Sequence, residues 1–296
     1  MSAVVVGPEK VSSPSPLWSR AAIRVFVRRH PTVVVGGLLL LAIIVGAVFA
    51  PWLGAVDPIA IDPIHRLKGA SAEHWFGTDR FGRDLYSRVM HGGRVSLIVG
   101  VSVALLATVI GLAIGLVSGY LRAVDAIVMR VMDGMMAIPA IMLAIALIAL
   151  SKASILIVII AVALPEIPRV VRLVRSIVLT IREQPYIEAA TAIGTSLPRI
   201  MWRHLLPNAL PPLIVQATYI CASAVLIEAA LSFLGAGTPP EVPSWGNIMA
   251  EARPYFQLKP SMVLLPGLFL AVTVLAINLV GDGLRDMLDP RLARKM

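Results

Sequence analysis

The residues best placed to do chemistry lie in one stretch, Tyr186 to Asn208, which reads YIEAATAIGTSLPRIMWRHLLPN. Ile187 to Ile193 is a run of good helix formers, and Gly194 ends it as glycine past a helix end does, by taking positive φ. A second short amphipathic helix, Leu197 to Leu205, is expected to stop before Pro207. Two short helices around a glycine turn, with Ala189, Ala190, Ile193 and Leu197 as a small apolar face, suit the groove of a partner protein. A linker lying flat on a membrane surface suits the same periodicity, and both readings stay open at this point.

The other ionisable residues are scattered. Glu228 is the acid set most clearly inside an apolar run. A central carboxylate costs roughly 2.5–3.5 kcal/mol in lipid, so it must face protein or water. It is expected either at an outer gate contacting a cationic group, or at the interface hydrogen-bonded to the loop that follows. His65, His74 and His91 are spaced by 9 and 17 residues, which matches no common ligand pattern, so no metal site is expected. Arg169, Arg172 and Arg175 make a basic stripe expected to anchor to anionic headgroups. Asp79, Arg80, Arg83 and Asp84 are expected to brace a loop through ion pairs of little individual worth if exposed.

Absences narrow the chemistry further. No Gly–Lys dipeptide occurs, hence no GxxxxGK[ST] phosphate loop, and energy from a nucleotide must come through another polypeptide. Within the apolar runs there is no HExxH arrangement and no paired acids, which a membrane enzyme would need. The single cysteine, Cys221, cannot close an intramolecular disulfide.

These residues must be positioned by elements that live in lipid. Of 296 residues 58% are hydrophobic and only 15% charged, with a mean hydropathy of +0.85, too little polar surface for a chain folded in water. The same shortage argues against a basic groove for nucleic acid, although 26 Lys and Arg face 17 Asp and Glu. Uncharged runs of 26, 27, 18, 23 and 22 residues follow His30, Arg94, Asp133, His204 and Lys259. Each can span a hydrocarbon core that needs about 20 helical residues. A sixth, from Ala153 to Pro165, has only 13 uncharged residues and must continue through a kink at Pro165 and Pro168, carrying its arginines into the headgroups. The first run is too long for a signal peptide and ends in Pro51–Trp52 rather than small residues, so it reads as a retained anchor.

Six spans put both termini on one side. With the N-terminus inside, 17 Lys and Arg fall on the cytoplasmic pieces and 9 outside, so the termini are expected in the cytoplasm. The chain then divides into a cytoplasmic tail at 1–30, unstructured to Pro16 and basic and amphipathic from Trp18 to Arg29; a first transmembrane helix at 31–53; and an extracytoplasmic segment at 54–93. A core of five helices follows at 94–284, with the 186–208 loop inside it, and a cytoplasmic tail at 285–296. Trp75, Phe76, Phe81 and Tyr86 anchor the outer segment. Gly111, Gly115 and Gly119 give the second span a small-xxx-small face for close helix packing, and the Gly235–Pro260 loop is dense in Pro and Gly.

Glu188–Ala189–Ala190, then Gly194, then Leu206–Pro207 resembles the EAA loop of binding-protein-dependent ABC importer permeases, EAA-x3-G-x9-I-x-LP, with His204 at the Ile position. HWFGTDRFGRDLYSRVMHGGRVSL (His74 to Leu97), EAALSFLGAGTPPEVPSWGNIM (Glu228 to Met249) and GDGLRDMLDPRL (Gly281 to Leu292) resemble the peptide and nickel branch. The layout, a first span followed by a long loop, is similar to the second, C-type, permease of that branch. The resemblance implies an all-α, six-span type I importer permease in the plasma (inner) membrane. It implies as partners a homologous second permease, two ATP-binding subunits and an extracytoplasmic solute-binding protein. It also implies that the chain is no enzyme and binds no cofactor, ATP and Mg belonging to the ATPase subunits. The chain would form half of the translocation pathway for di- and oligopeptides. Ala189 and Ala190 would seat the coupling helix in an ATPase cleft, Gly194 would make the turn, and Glu188 would contact the cleft's edge. With such a cargo, the cationic group of the gate reading of Glu228 would be one such as a peptide amino terminus, the loop-bonded reading staying open beside it. Nickel, glutathione or another small solute is the nearest alternative cargo, and an ion-coupled secondary transporter is the alternative of another class.

Overall fold

The computed structural model describes Arg24, residues 27–151 and residues 154–288. The expectations for the 1–16 tail, most of the basic stretch after it, Lys152 and the end of the C-terminal tail fall outside those residues. The described chain is helical, with a single isolated antiparallel bridge between Thr78 and Asp84.

Helix α1, Pro31–Val48, is apolar all round, exposing Val35, Leu38 and Leu41 and burying Gly36 and Ala47, the pattern of a span at a bundle's edge. Helix α2, Leu85–Tyr120, has 36 residues and a length of about 54 Å, so it outreaches a hydrocarbon core of about 30 Å. It starts nine residues before Arg94 because Asp84 caps it, accepting from the Ser87 N–H at 2.7 Å. Helices α3, Arg122–Met136, and α4, Ala140–Ala149, meet at 86°. Pro139 opens α4 and disfavours helical backbone at Ile138, which accounts for the break. Helix α5, Ile155–Ala163, passes through a 3-10 turn at Leu164–Glu166 into α6, Ile167–Arg182.

Among the described residues, four stretches are long and apolar enough to cross a membrane: Pro31–Val48, Leu85–Tyr120, Leu197–Phe233 and Ser261–Leu288. The bent pair α3–α4 makes a fifth if it is one broken span.

Gly111, Gly115 and Gly119 pack on α6 in matched register. A Cβ at these positions would sit 2.5 Å from the Val170 Cβ, 2.7 Å from the Val174 Cβ and 2.8 Å from the Val178 Cβ. The three valines are fully buried in the larger of two apolar clusters, which α2, α4, α5, α6 and the 206–233 helix share. Where lipid offers no hydrophobic drive, this backbone approach supplies the dispersion contact. Gly115→Leu is therefore expected to cost at least about 1–3 kcal/mol through overpacking. An unchanged melting temperature of the purified complex would remove that account.

The chain continues through α7, Pro185–Ala192, and α8, Leu197–Ile200, to a π turn at Met201–Leu205 and then α9, Leu206–Phe233. The expected stop before Pro207 does not occur. The Leu206 N–H reaches back to the Met201 carbonyl, so regular α geometry restarts at Leu206 and Pro207 falls in its first turn, where no N–H is needed. The loop expected to be merely Pro- and Gly-rich contains α10, Trp245–Ala252, capped by Ser244, which accepts from the Asn247 N–H at 3.2 Å. The last helix, α11, is Ser261–Leu288. Leu85, Val89, Val225, Trp245, Ile248 and Met262 form the second, outer cluster. The indole of Trp245 donates to the Val89 carbonyl at 3.0 Å.

Candidate functional site

The α7–α8 elbow stands clear of the bundle yet is fixed to it from both sides. Ile187 on α7, and Ile200 and Leu205 beyond the turn, are 2%, 1% and 0% exposed and join the larger cluster. Between them, Ile193 is 83% exposed and Trp202 76%. Pro185 starts α7 with its preset φ. Gly194 closes it at φ +80°, with the Thr195 N–H on the Ala190 carbonyl and the Gly194 N–H on the Thr191 carbonyl, both at 3.0 Å. That pair of bonds is a Schellman motif, which needs the left-handed residue. Ala189 is exposed and Ala190 half-buried on the open face. Glu188 borders a groove of about 530 Å³ shared with Tyr120, Arg122 and Arg182. His204, at the position where the motif has Ile, lies with its ring centroid 5.9 Å from that of Tyr186. Leu206 and Pro207 begin α9, so the motif's last two positions set the angle at which the elbow joins a span.

Glu228 is wholly buried, Oε1 accepting from the Ser232 hydroxyl at 2.8 Å and Oε2 from the Ser96 hydroxyl at 3.3 Å. The link to the following loop is real, since Thr238, Ser244 and Asn247 extend the network to the cap of α10. In this arrangement it touches no solvent and reads as a tie between α2, α9 and α10. Glu228→Ala is expected to cost roughly 1–3 kcal/mol by stranding the buried Ser96 hydroxyl and taking an acceptor from Ser232, whereas Glu228→Gln keeps acceptor and shape. Equal melting temperatures for the two variants would contradict this.

The arginine stripe on α6 is paired within the chain. Arg169 pairs with Glu166 at 3.0 Å, Arg172 with Asp133 at 2.6 Å, and the Arg175 Nη2 with Asp125 at 2.6 Å. Asp133 and Asp125 reach Arg172 and Arg175 across a helix contact, and Glu166 lies one turn from Arg169 on the same stretch, so each charge has a partner inside the chain. Two of these acids, on α3, hold the bent segment to α6.

In the segment before α2, Asp79 and Arg83 form an ion pair as expected, and both are buried. Arg83 Nε donates to Asp79 at 2.6 Å and its Nη2 to Glu251, while Arg88 lies 3.4 Å from Asp79 and 3.2 Å from Glu251. Two arginines and two acids thus close a neutral square joining the segment before α2 to α10. The i,i+4 spacing of Asp79 and Arg83 was legible; Glu251, 168 residues on from Arg83, carried no sequence signal. Arg80 stays out of the square, stacked over Phe81, and Asp84 pairs instead with His74 at 2.9 Å. His65 hydrogen-bonds Asp62 at 2.5 Å and holds its carboxyl below the usual carboxylate range. His91 meets the Ser87 carbonyl at 2.8 Å. No group of three or more potential metal ligands comes together among the described residues.

Among the described residues the chain is an all-helical bundle that carries a braced elbow with Ile193 exposed at its tip. Residues 107–294 match the family described as binding-protein-dependent transport system inner membrane component, and the chain belongs to that family. It is a multi-pass inner-membrane permease subunit of an ABC importer, non-catalytic, and works with ATP-binding subunits and a binding protein. Residues 17–69 match the N-terminal TM domain of oligopeptide transport permease C. The chain is 52% identical to a probable peptide ABC transporter permease, y4tQ, of Sinorhizobium fredii, over 90% of this chain and 92% of that one. It is 42% identical to the dipeptide transport system permease DppC of Alkalihalophilus pseudofirmus, over 90% and 88%. Among solved structures it resembles the inward-facing MetNI methionine ABC transporter, with a TM-score of 0.54 and 22% identity over 68% of this chain and 96% of that one, a likeness of fold.

Proposed function

We propose that this chain is half of the translocation pathway of a peptide importer, coupled to the ATPase subunits through Glu188, Ala189, Ala190 and Gly194, with Leu206 and Pro207 joining the elbow to α9. The observation that carries the coupling role is Ile193, 83% exposed at the tip of an elbow whose two roots are buried. A large aliphatic side chain held out on a rigid support fits an apolar socket in a partner. Peptide as cargo follows from the names of the relatives. The second half of the pathway is a homologous permease, two ATPase subunits sit beneath, and a solute-binding protein delivers cargo from outside. Six spans with cytoplasmic termini fit the charge distribution, the α5–α6 passage completing the count. ATP and Mg stay on the ATPase subunits. Closure of those subunits carries the elbow as a rigid body and rocks the spans between inward-open and outward-open states.

In a Cys221→Ser background, cysteine at Ala190 is expected to crosslink to a cysteine in the ATPase cleft within the assembled complex. Absence of the crosslink, or transport by this chain alone under an ion gradient, would end this reading. Glu228 gives no support to the ion-coupled alternative, because its carboxyl is wholly buried and taken up by Ser96 and Ser232.

A further inference from the structure

Helices α9 and α11 each carry a polar stripe that neither the elbow nor the outer network uses. On α9, Gln216 and Tyr219 follow Pro212 at the fourth and seventh positions; on α11, Asp282 and Arg285 follow Asn278 in the same way, so each set shares one helix face. The stripes meet where the Tyr219 hydroxyl donates to Asp282 Oδ1 at 2.5 Å. The Arg285 guanidinium lies beside the same hydroxyl. Gln216, Tyr219 and Arg285, with Pro212 and Leu173, line an open groove of about 480 Å³, in the size range of small-molecule sites. Asp282 and Arg285 are exposed, and such charges on a membrane helix face water or protein rather than lipid. They are opposite in sign and about 4.5 Å apart along the axis. Arg285, in the lining, presents a planar fork suited to a carboxylate, and Asp282, held at the groove's margin by the Tyr219 hydroxyl, attracts a cation beside it.

We propose that this groove is the inner part of the solute's route and takes a short peptide as its zwitterion. Asp282 receives the terminal ammonium, Arg285 the terminal carboxylate, and the Tyr219 hydroxyl aims the aspartate. This rests on the peptide-importer reading, since it names which groups of this chain meet that cargo.

The test uses the assembled transporter with Cys221→Ser and Gln216→Cys. A membrane-impermeant maleimide on the cytoplasmic side should label this cysteine about tenfold faster than one at Leu226, an apolar position of the same helix that is 46% exposed. Excess dipeptide with free termini should slow the labelling, whereas the N-acetylated, C-amidated dipeptide should not. Adding Asp282→Asn should abolish protection by the free dipeptide. Where that variant fails to assemble, the Gln216→Cys comparison decides alone. An unreactive Gln216→Cys, labelling that no peptide slows, or equal protection by free and blocked peptides would each overturn the proposal. Peptide protection without the Ala190 crosslink would keep this groove and remove the elbow, so the two failures are separable.

Discussion

Gly194→Val should leave the complex assembled in the membrane while cutting peptide uptake by about 5–30-fold, the population shift that one or two kcal/mol produces. The cost is conformational alone. Gly194 sits at φ +80°, and a Cβ added there would meet no heavy atom within 4 Å. Left-handed backbone costs an L-residue about 1–2 kcal/mol, and a β-branched side chain is the hardest to place there. That cost falls on the two Schellman bonds that set the angle between α7 and α8, not on the buried roots at Ile187, Ile200 and Leu205. The elbow then loses its shape while the spans keep theirs. Uptake and ATPase activity measured together on proteoliposomes decide the point, with hydrolysis persisting as transport fails. Gly194→Asn, which tolerates the left-handed region, should recover much of the loss. Full uptake by the valine variant would remove the coupling role of the turn.

Arg88→Ala should produce the largest loss of stability, about 3–5 kcal/mol, because it leaves a buried acid uncompensated. Arg88 is one of four charges that sum to zero, its side chain 3% exposed between Asp79 and Glu251. Without it, Arg83 alone faces two carboxylates in a region nearly closed to water. The double variant Arg88→Met with Glu251→Gln restores neutrality and volume, so it should regain most of the loss. Thermal melting of the reconstituted complex, read for the single and double variants side by side, separates this from a simple packing defect. A double variant no more stable than the single one would contradict the account.

The membrane class, the approximate spans and the elbow with its glycine turn were legible in the sequence, because each depends on local pattern. Charge-free length fixes a span, and Gly194 fixes where α7 must stop. Even so, the helix predicted to end before Pro207 runs on, since one π turn moved the proline into a first turn; no propensity encodes that compensation. What only the tertiary structure decided was the partner of each charge. Nothing in the sequence set Asp133 and Asp125 opposite Arg172 and Arg175. Glu228 was read either as a gate residue or as bonded to the following loop, and neither reading named Ser96, which lies 132 residues away along the chain. Helical pattern is set by neighbours a few residues away along the chain, so sequence carries it. Compensation of a buried charge is set by whatever side chain packing brings within about 3 Å, and sequence distance says nothing about that.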